Sequence, residues 1–221
     1  MAHIPADLIE FLRELELNNN REWFEANKKR YEASVKAPME AFAATMIERM
    51  REIYPDLDVA PKSTLFRIYR DVRFSKEKTP YKTHVGMAVG PKGRRDPNSP
   101  SFSVHLGPRD FYFGSGYYMV DPEQLKAIRT HIAANLVEFQ ARLDDAPFRN
   151  LFGTVKGECG KLLPPELKAA AERQPLVFNK QFYYGAEYDP EVALGGDVPE
   201  FLMTHMRASM PMNDFLRRAL T

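Results

Sequence analysis

The chain has 221 residues, with 31 Lys and Arg against 30 Asp and Glu for a net charge of +1. Its 44% hydrophobic and 12% aromatic content is enough for a substantial core and excludes wholesale disorder. No apolar run approaches the ~20 residues that cross a bilayer, and the single cysteine, Cys159, excludes an internal disulfide framework. A reducing compartment, the cytoplasm, is the expectation, with no membrane partner. The opening MAHIPADLIEFL lacks a basic region followed by an apolar stretch and does not read as a secretion signal.

The first sixty residues predict a helical layer. Leu8, Phe11, Leu12 and Leu15 recur at three and four residues and give one apolar stripe. Asn18, Asn19 and Asn20 should end that helix and cap the next, because short amide side chains satisfy free backbone groups. Trp23, Phe24, Asn27, Lys28 and Tyr31 continue at helical spacing. Pro38 suits the first turn of a third helix that buries Phe42, Met46, Met50 and Ile53.

After Pro61 the period changes to two. Phe66, Ile68, Val72 and Phe74 share one face of an extended segment; Arg67, Tyr69, Asp71 and Arg73 share the other. Arg70 interrupts the apolar face, which suggests a bulge or a strand end there. Residues 75–83 have turn character. Val85, Met87 and Val89 alternate again, and residues 90–100, rich in Gly, Pro and basic side chains, read as a loop with Lys92, Arg94 and Arg95 in water. Phe102, Val104 and Leu106 form a strand turned by Gly107-Pro108-Arg109-Asp110 into a return over 111–118, a hairpin.

Asp121-Pro122-Glu123-Gln124 is a helix start with capping acid, proline and Gln in place. The stripe Leu125, Ile128, Ile132, Leu136, Phe139 and Leu143 makes it a long middle helix. Residues 176–184 read as extended, and 199–207 and 213–220 as two closing helices separated by Pro211. The expected class is α+β: a largely antiparallel central sheet flanked by N-terminal helices, a long middle helix and C-terminal helices. A single domain over 1–221 is expected, in blocks 1–60, 61–120 and 121–221.

Charge is concentrated in one stretch. Residues 62–95 hold ten Lys and Arg against two acids, so this stretch is +8 and the remainder −7. The core of it, R-D-x-R-F-S-x-x-K-T-P-Y-K at Arg70, Asp71, Arg73, Phe74, Ser75, Lys78, Thr79, Pro80, Tyr81 and Lys82, resembles a known family. Phe11-Leu12, Asn18-Asn19, Trp23-Phe24, Asn27-Lys28, the strand over 114–118 and the helix from Pro122 add to the resemblance. That family is the bacterial and fungal one catalogued as domain of unknown function 2461. The resemblance is carried by residues 7–145; residues 161–185 depart from the basic, proline- and glycine-containing segment expected there. It implies one α+β domain and brings no assigned activity, substrate or catalytic residue.

Read as chemistry, the basic stretch is a candidate anion site. Arginine grips phosphate or carboxylate through paired hydrogen bonds, and lysine adds charge with less geometric demand. Arg67, Arg70, Asp71, Arg73, Lys78, Tyr81, Lys82, His84 and His105 are the candidate ligand-binding residues. Asp71 would orient an arginine, Tyr81 would donate or stack, and Ser103 with His105 would face the same side. The bland alternative is an ion-pair network of Arg70, Asp71, Glu77 and Lys78 that pins the turn.

A small phosphate- or carboxylate-bearing ligand, with or without a reaction, is the first functional reading. A single-stranded nucleic-acid module is the second, from basic residues interleaved with Phe66, Tyr69, Phe74 and Tyr81. A scaffold that meets an acidic protein is the third. His3, His84, His105, His131 and His205 lack close metal-ligand spacing, so no metal is expected. Gly114-Ser115-Gly116 lacks the context of a dinucleotide loop, so no cofactor is expected either; it reads as a strand with close backbone approach. Nothing in the chain sets its oligomeric state.

Overall fold

The computed structural model describes residues 4–73, 78–90 and 99–221. Phe74, Ser75 and the loop charges Lys92, Arg94 and Arg95 therefore lie outside the described residues.

Helix α1 (Ala6–Leu17) buries the expected Leu8, Phe11, Leu12 and Leu15, together with Ile9. The asparagine cluster divides its work. Asn18 closes α1, its amide donating to the Glu14 carbonyl, and Asn20 opens α2 (Arg21–Ala26) by accepting from the Trp23 N–H at 2.9 Å. The next expectation changes. A short α3 (Lys28–Arg30), a π-helical run at Tyr31–Lys36 and α4 (Ala37–Met50) follow one another without a break. Lys36 and Ala37 keep right-handed helical backbone, so Pro38 begins no separate helix. A π turn is wider than an α turn, and it displaces the backbone that the proline ring would otherwise strike. Ile53 falls beyond the end of α4.

After a single turn at α5 (Pro61–Thr64), residues 65–70 run extended and antiparallel to 80–87. They form two isolated bridges, Leu65 with Met87 and Tyr69 with Tyr81, rather than a regular strand. Between those bridges a four-residue advance on one segment faces a six-residue advance on the other. The irregularity thus sits within 82–86 and not at Arg70, whose N–H donates to the Pro80 carbonyl at 2.9 Å. Ile68 is buried and Arg67 and Tyr69 are exposed, as the alternation predicts.

Four strands, β1 (Val85–Val89), β2 (Phe102–Leu106), β3 (Phe111–Tyr117) and β4 (Phe182–Tyr188), form an antiparallel sheet in the order β1-β2-β3-β4. The β2–β3 hairpin is the expected one, and Phe102, Val104 and Leu106 point inward. β1 is buried on both faces, which is why its residues are all small or apolar. At Gly116, with φ of +102°, a Cβ would lie 2.4 Å from the Phe182 carbonyl oxygen; here the glycine-marked close approach is real.

Helix α6 (Pro122–Ala134) starts on the expected capping box. It stops at Asn135, and α7 (Leu136–Asp144) follows, so the long middle helix is two. The Asn135 amide donates to the His131 carbonyl at 2.9 Å, a local bond that competes with continuing the helix. α8 (Ala146–Phe152) and α9 (Lys168–Arg173) come next. The expected extended run at 176–184 divides into a 3-10 turn at Pro175–Phe178 and the start of β4. α10 (Val198–Arg217) is one helix with Pro211 inside it, not two. Met206, Ala208, Met212, Phe215 and Leu216 on both sides of Pro211 are buried, and their packing outweighs the missing hydrogen bond. The class is α+β. No helix of the described residues is long and apolar enough to cross a membrane.

The described residues fall into two compact units: those within 1–94, 103–113 and 187–203, and those within 95–102, 114–186 and 204–221. The first has an aromatic core around Phe11, Phe24 and Tyr81, and the Arg30 guanidinium joins Asp7 of α1 at 2.5 Å and Glu14 at 2.8 Å. The second holds a buried polar cluster. The Tyr184 hydroxyl donates to Asn213 Oδ1 at 2.6 Å, and Asn213 Nδ2 donates to Ser115 Oγ at 2.9 Å.

Candidate functional site: a cleft in the first unit

The nine candidate residues do not converge on one point. Asp71 and Arg73 satisfy each other: Nε and Nη2 of Arg73 reach the two carboxylate oxygens at 3.0 and 2.7 Å. This pairing holds the Asp71 carboxyl well below the usual carboxylate range. Lys78 donates to the Val72 carbonyl at 2.9 Å from an exposed position. Tyr81 is only 2% exposed and stacks on Phe24 with centroids 4.0 Å apart, so its ring is core. The remaining candidates form two groups.

One group covers a face of the sheet. The His84 and His105 rings lie nearly parallel, 3° apart, with centroids separated by 5.4 Å. Tyr112 meets His105 edge-on from one side and Phe66 from the other, while the Lys82 ammonium stands 5.4 Å over the Phe66 ring. Gly86 lies beside His105: a Cβ there would fall 3.1 Å from the imidazole Cδ2. Burial, then His84, then Lys82 push the His105 imidazole down to about 4, with Asp110 opposing. Burial and the nearby Lys82 and Arg70 lower His84 as well, again against Asp110. Both rings are therefore neutral at pH 7.

The other group contains Arg67 and lines a cleft of about 480 Å³. One wall is the helical run from Phe24 to Glu40; the other is the extended segment of Leu65, Phe66, Arg67, Ile68 and Tyr69, with Val85 and Gly86 at the end. The floor is apolar: Phe24, Val35, Met39 and Ile68 are each at most 4% exposed. Around it stand Lys28, Lys36, Lys62 and Arg67, with Glu32 and Glu40. Lys62 approaches Glu40 at 3.7 Å and Lys28 approaches Glu25 at 3.4 Å. Arg67 and Lys36 have no carboxylate at ion-pair distance among the described residues.

Tyr31 and Tyr69 complete the lining. Burial, followed by the proximity of Tyr69, Glu40 and Glu32, pushes the Tyr31 phenol up to about 12, so it remains a hydrogen-bond donor across the ordinary pH range. Neither phenol hydroxyl has a hydrogen-bond partner among the described residues.

Reading the basic stretch alone missed Lys28, Tyr31 and Lys36, and Lys62, counted in that stretch, was not among the candidate residues. A signal was present: Lys28, Glu32, Lys36 and Glu40 repeat every four residues beside the apolar Phe24, Val35 and Met39. Such a stripe ordinarily marks a solvated helix face. Here it borders a cleft only because residues 65–69 pack alongside. Among the described residues no three His, Cys, Asp or Glu side chains gather to hold a metal ion.

The family model described as a conserved hypothetical protein, DUF2461, matches residues 7–215. The chain belongs to the DUF2461 family. The match extends well past residue 145 and takes in the C-terminal third, residues 161–185 included. Nothing among curated proteins matches the chain. In this DUF2461 protein, then, the motif residues Arg70 to Lys82 shape the first unit through Tyr81 and the Asp71–Arg73 pair as much as they display charge.

Proposed function

We propose that this DUF2461 protein binds a small phosphate- or carboxylate-bearing molecule in the cleft between the helical run and residues 65–69. The observation that carries the reading is Arg67: an exposed guanidinium on the wall of a cleft of about 480 Å³, unmatched by any carboxylate at ion-pair distance among the described residues. The volume falls in the range of small-molecule sites, which join apolar walls to a few placed polar groups. Lys36 and Lys62 add positive charge, and the Tyr31 hydroxyl donates. Arg67 can hold an anion through two parallel hydrogen bonds, and Lys36 contributes as a point charge.

Isothermal titration with inorganic phosphate, citrate and ribose 5-phosphate tests it, alongside Arg67→Ala. Saturable binding that weakens at least about tenfold in Arg67→Ala, the loss expected for a charge-assisted hydrogen-bond pair, supports the reading. Binding unchanged by Arg67→Ala, or no binding of any anion, overturns it. A response to single-stranded oligonucleotides alone, falling steeply with salt, would select the nucleic-acid reading instead.

A further inference from the structure

We infer that the ligand of this cleft is a planar ring that carries its anionic group directly or on a short arm. The inference rests on the reading that the cleft takes an anion, and it names the class. Two observations carry it. First, the exposed part of the wall is aromatic: Tyr69 leaves 48% of its surface open, whereas the neighbouring Phe24 and Tyr81, against which it packs at 6.2 and 5.5 Å, are buried. Second, polar groups without a hydrogen-bond or ion-pair partner among the described residues line the cleft from both walls: the Tyr69 hydroxyl and the Arg67 guanidinium on the extended segment, and the Tyr31 hydroxyl on the helical run.

The physical division follows from those positions. A ring laid against Tyr69 removes apolar surface from water and gains an offset or edge contact with a fixed partner. Its anionic group is then held by the Arg67 N–H groups and the neutral Tyr31 hydroxyl, against the opposing charge of Glu32 and Glu40 in the same lining. An inorganic anion would satisfy the donors and leave the aromatic wall wet. An unbranched aliphatic acid would cover the wall without the ring-to-ring contact. The apolar floor of Val35 and Met39 limits how deep a polar substituent on the ring can go.

The test compares phenyl phosphate and adenosine monophosphate with ribose 5-phosphate and hexyl phosphate, by titration calorimetry on the full chain. Phenyl phosphate and adenosine monophosphate are expected to bind about two- to tenfold tighter than ribose 5-phosphate, the gain of one aromatic contact. In Tyr69→Leu, phenyl phosphate and adenosine monophosphate should bind no tighter than ribose 5-phosphate does to the same variant, while Arg67→Ala weakens all of them. Tyr69→Leu keeps an apolar side chain beside Phe24 and Tyr81, and an unchanged thermal midpoint confirms that it folds. If ribose 5-phosphate or hexyl phosphate binds as tightly as phenyl phosphate, the ring inference falls and the anion reading stands. If none of the four binds, both fall.

Discussion

Asn19 and Tyr81, 62 residues apart, exchange two hydrogen bonds: the Asn19 amide donates to the Tyr81 carbonyl at 3.0 Å and its oxygen accepts the Tyr81 N–H at 3.1 Å. The asparagine side chain thereby acts as one residue of an extra strand. It ties the loop between α1 and α2 to the segment that carries Lys82 and His84, and it seats the Tyr81 ring on Phe24. Asn19→Ala leaves a partly buried N–H and carbonyl without partners. It should cost about 1–3 kcal/mol in urea unfolding. Asn19→Asp, which keeps the acceptor and loses the donor, should fall between. Equal stability of all three proteins would show that the pairing holds nothing together.

Gly86 permits the close passage of β1 by β2. A Cβ at this position would lie 2.5 Å from the Val104 carbonyl oxygen, a backbone atom that cannot swing away. Gly86→Ala should therefore destabilise by about 1–3 kcal/mol, as overpacking does, and should shift the His105 resonances, since the same methyl approaches the imidazole. A fully stable Gly86→Ala protein with unshifted histidine signals would refute the packing account.

His105 makes the fold sensitive to acid. Its imidazole is held down to about 4 in the folded protein, against about 6.5 when unfolded. Between those values the unfolded chain binds the proton and the folded one does not, so stability rises with pH through this window. Acidification from pH 7 to 4 should remove on the order of 3 kcal/mol through this group alone, with His84 adding in the same direction. His105→Gln should flatten the pH 4–7 stability profile measured by urea unfolding. A profile as steep as that of the original protein would place the acid sensitivity elsewhere.

Tyr184 donates its hydroxyl proton to Asn213 inside a fully buried cluster. Tyr184→Phe preserves the ring against Phe148 and Phe152 and removes the donor. About 1–3 kcal/mol of stability should go with it, because the buried Asn213 Oδ1 is left with only the longer contact from Ser115 Oγ at 3.3 Å and the Ser209 carbonyl loses the same donor. Tyr184→Phe combined with Asn213→Leu should recover part of the loss; a double variant no better than the single one would argue against the under-satisfied Asn213 acceptor as the cause.

Arg67 should matter to ligand and not to fold. It is exposed and has no carboxylate at ion-pair distance among the described residues, its charge reaching Asp71 only from farther away, so Arg67→Ala should move the thermal midpoint by no more than about 0.5 kcal/mol equivalent. A large loss of stability would reassign Arg67 to the structure of the first unit.

Much of the architecture was legible before the coordinates, and the reasons are local. The stripe Leu8, Phe11, Leu12 and Leu15 makes sense only as a helix, and the alternation Phe102, Val104, Leu106 only as a strand. Asp121 with Gln124 is a cap whose geometry is complete within four residues. The misreadings have a common physical origin. Pro38 and Pro211 are breakers by intrinsic preference, yet a π turn accommodates the first and buried methionine and phenylalanine side chains override the second. Asn135 ends a helix whose apolar stripe runs straight through it.

The candidate site divides along the same line. The ring of Tyr81 was read as a ligand contact because its neighbours are charged; it is buried because Phe24, 57 positions earlier, lies beneath it. Arg73 is a candidate ligand contact by residue type, and in the structure Asp71, two residues away, accepts from its guanidinium. The approach of His84 to His105 depends on strand pairing, with Gly86 leaving room beside the His105 ring.

Composition and periodicity were enough to establish the kind of fold, the inward faces of its elements and the excess of positive charge in its middle, because each of these depends on neighbours a few positions apart. Which of those charges remain unmatched, and that Lys36 and Tyr31 of a helix share a hollow with Arg67 of an extended segment, depends on chain-distant surfaces meeting. Such meetings arise from packing of the whole core, and no short window of residues encodes them.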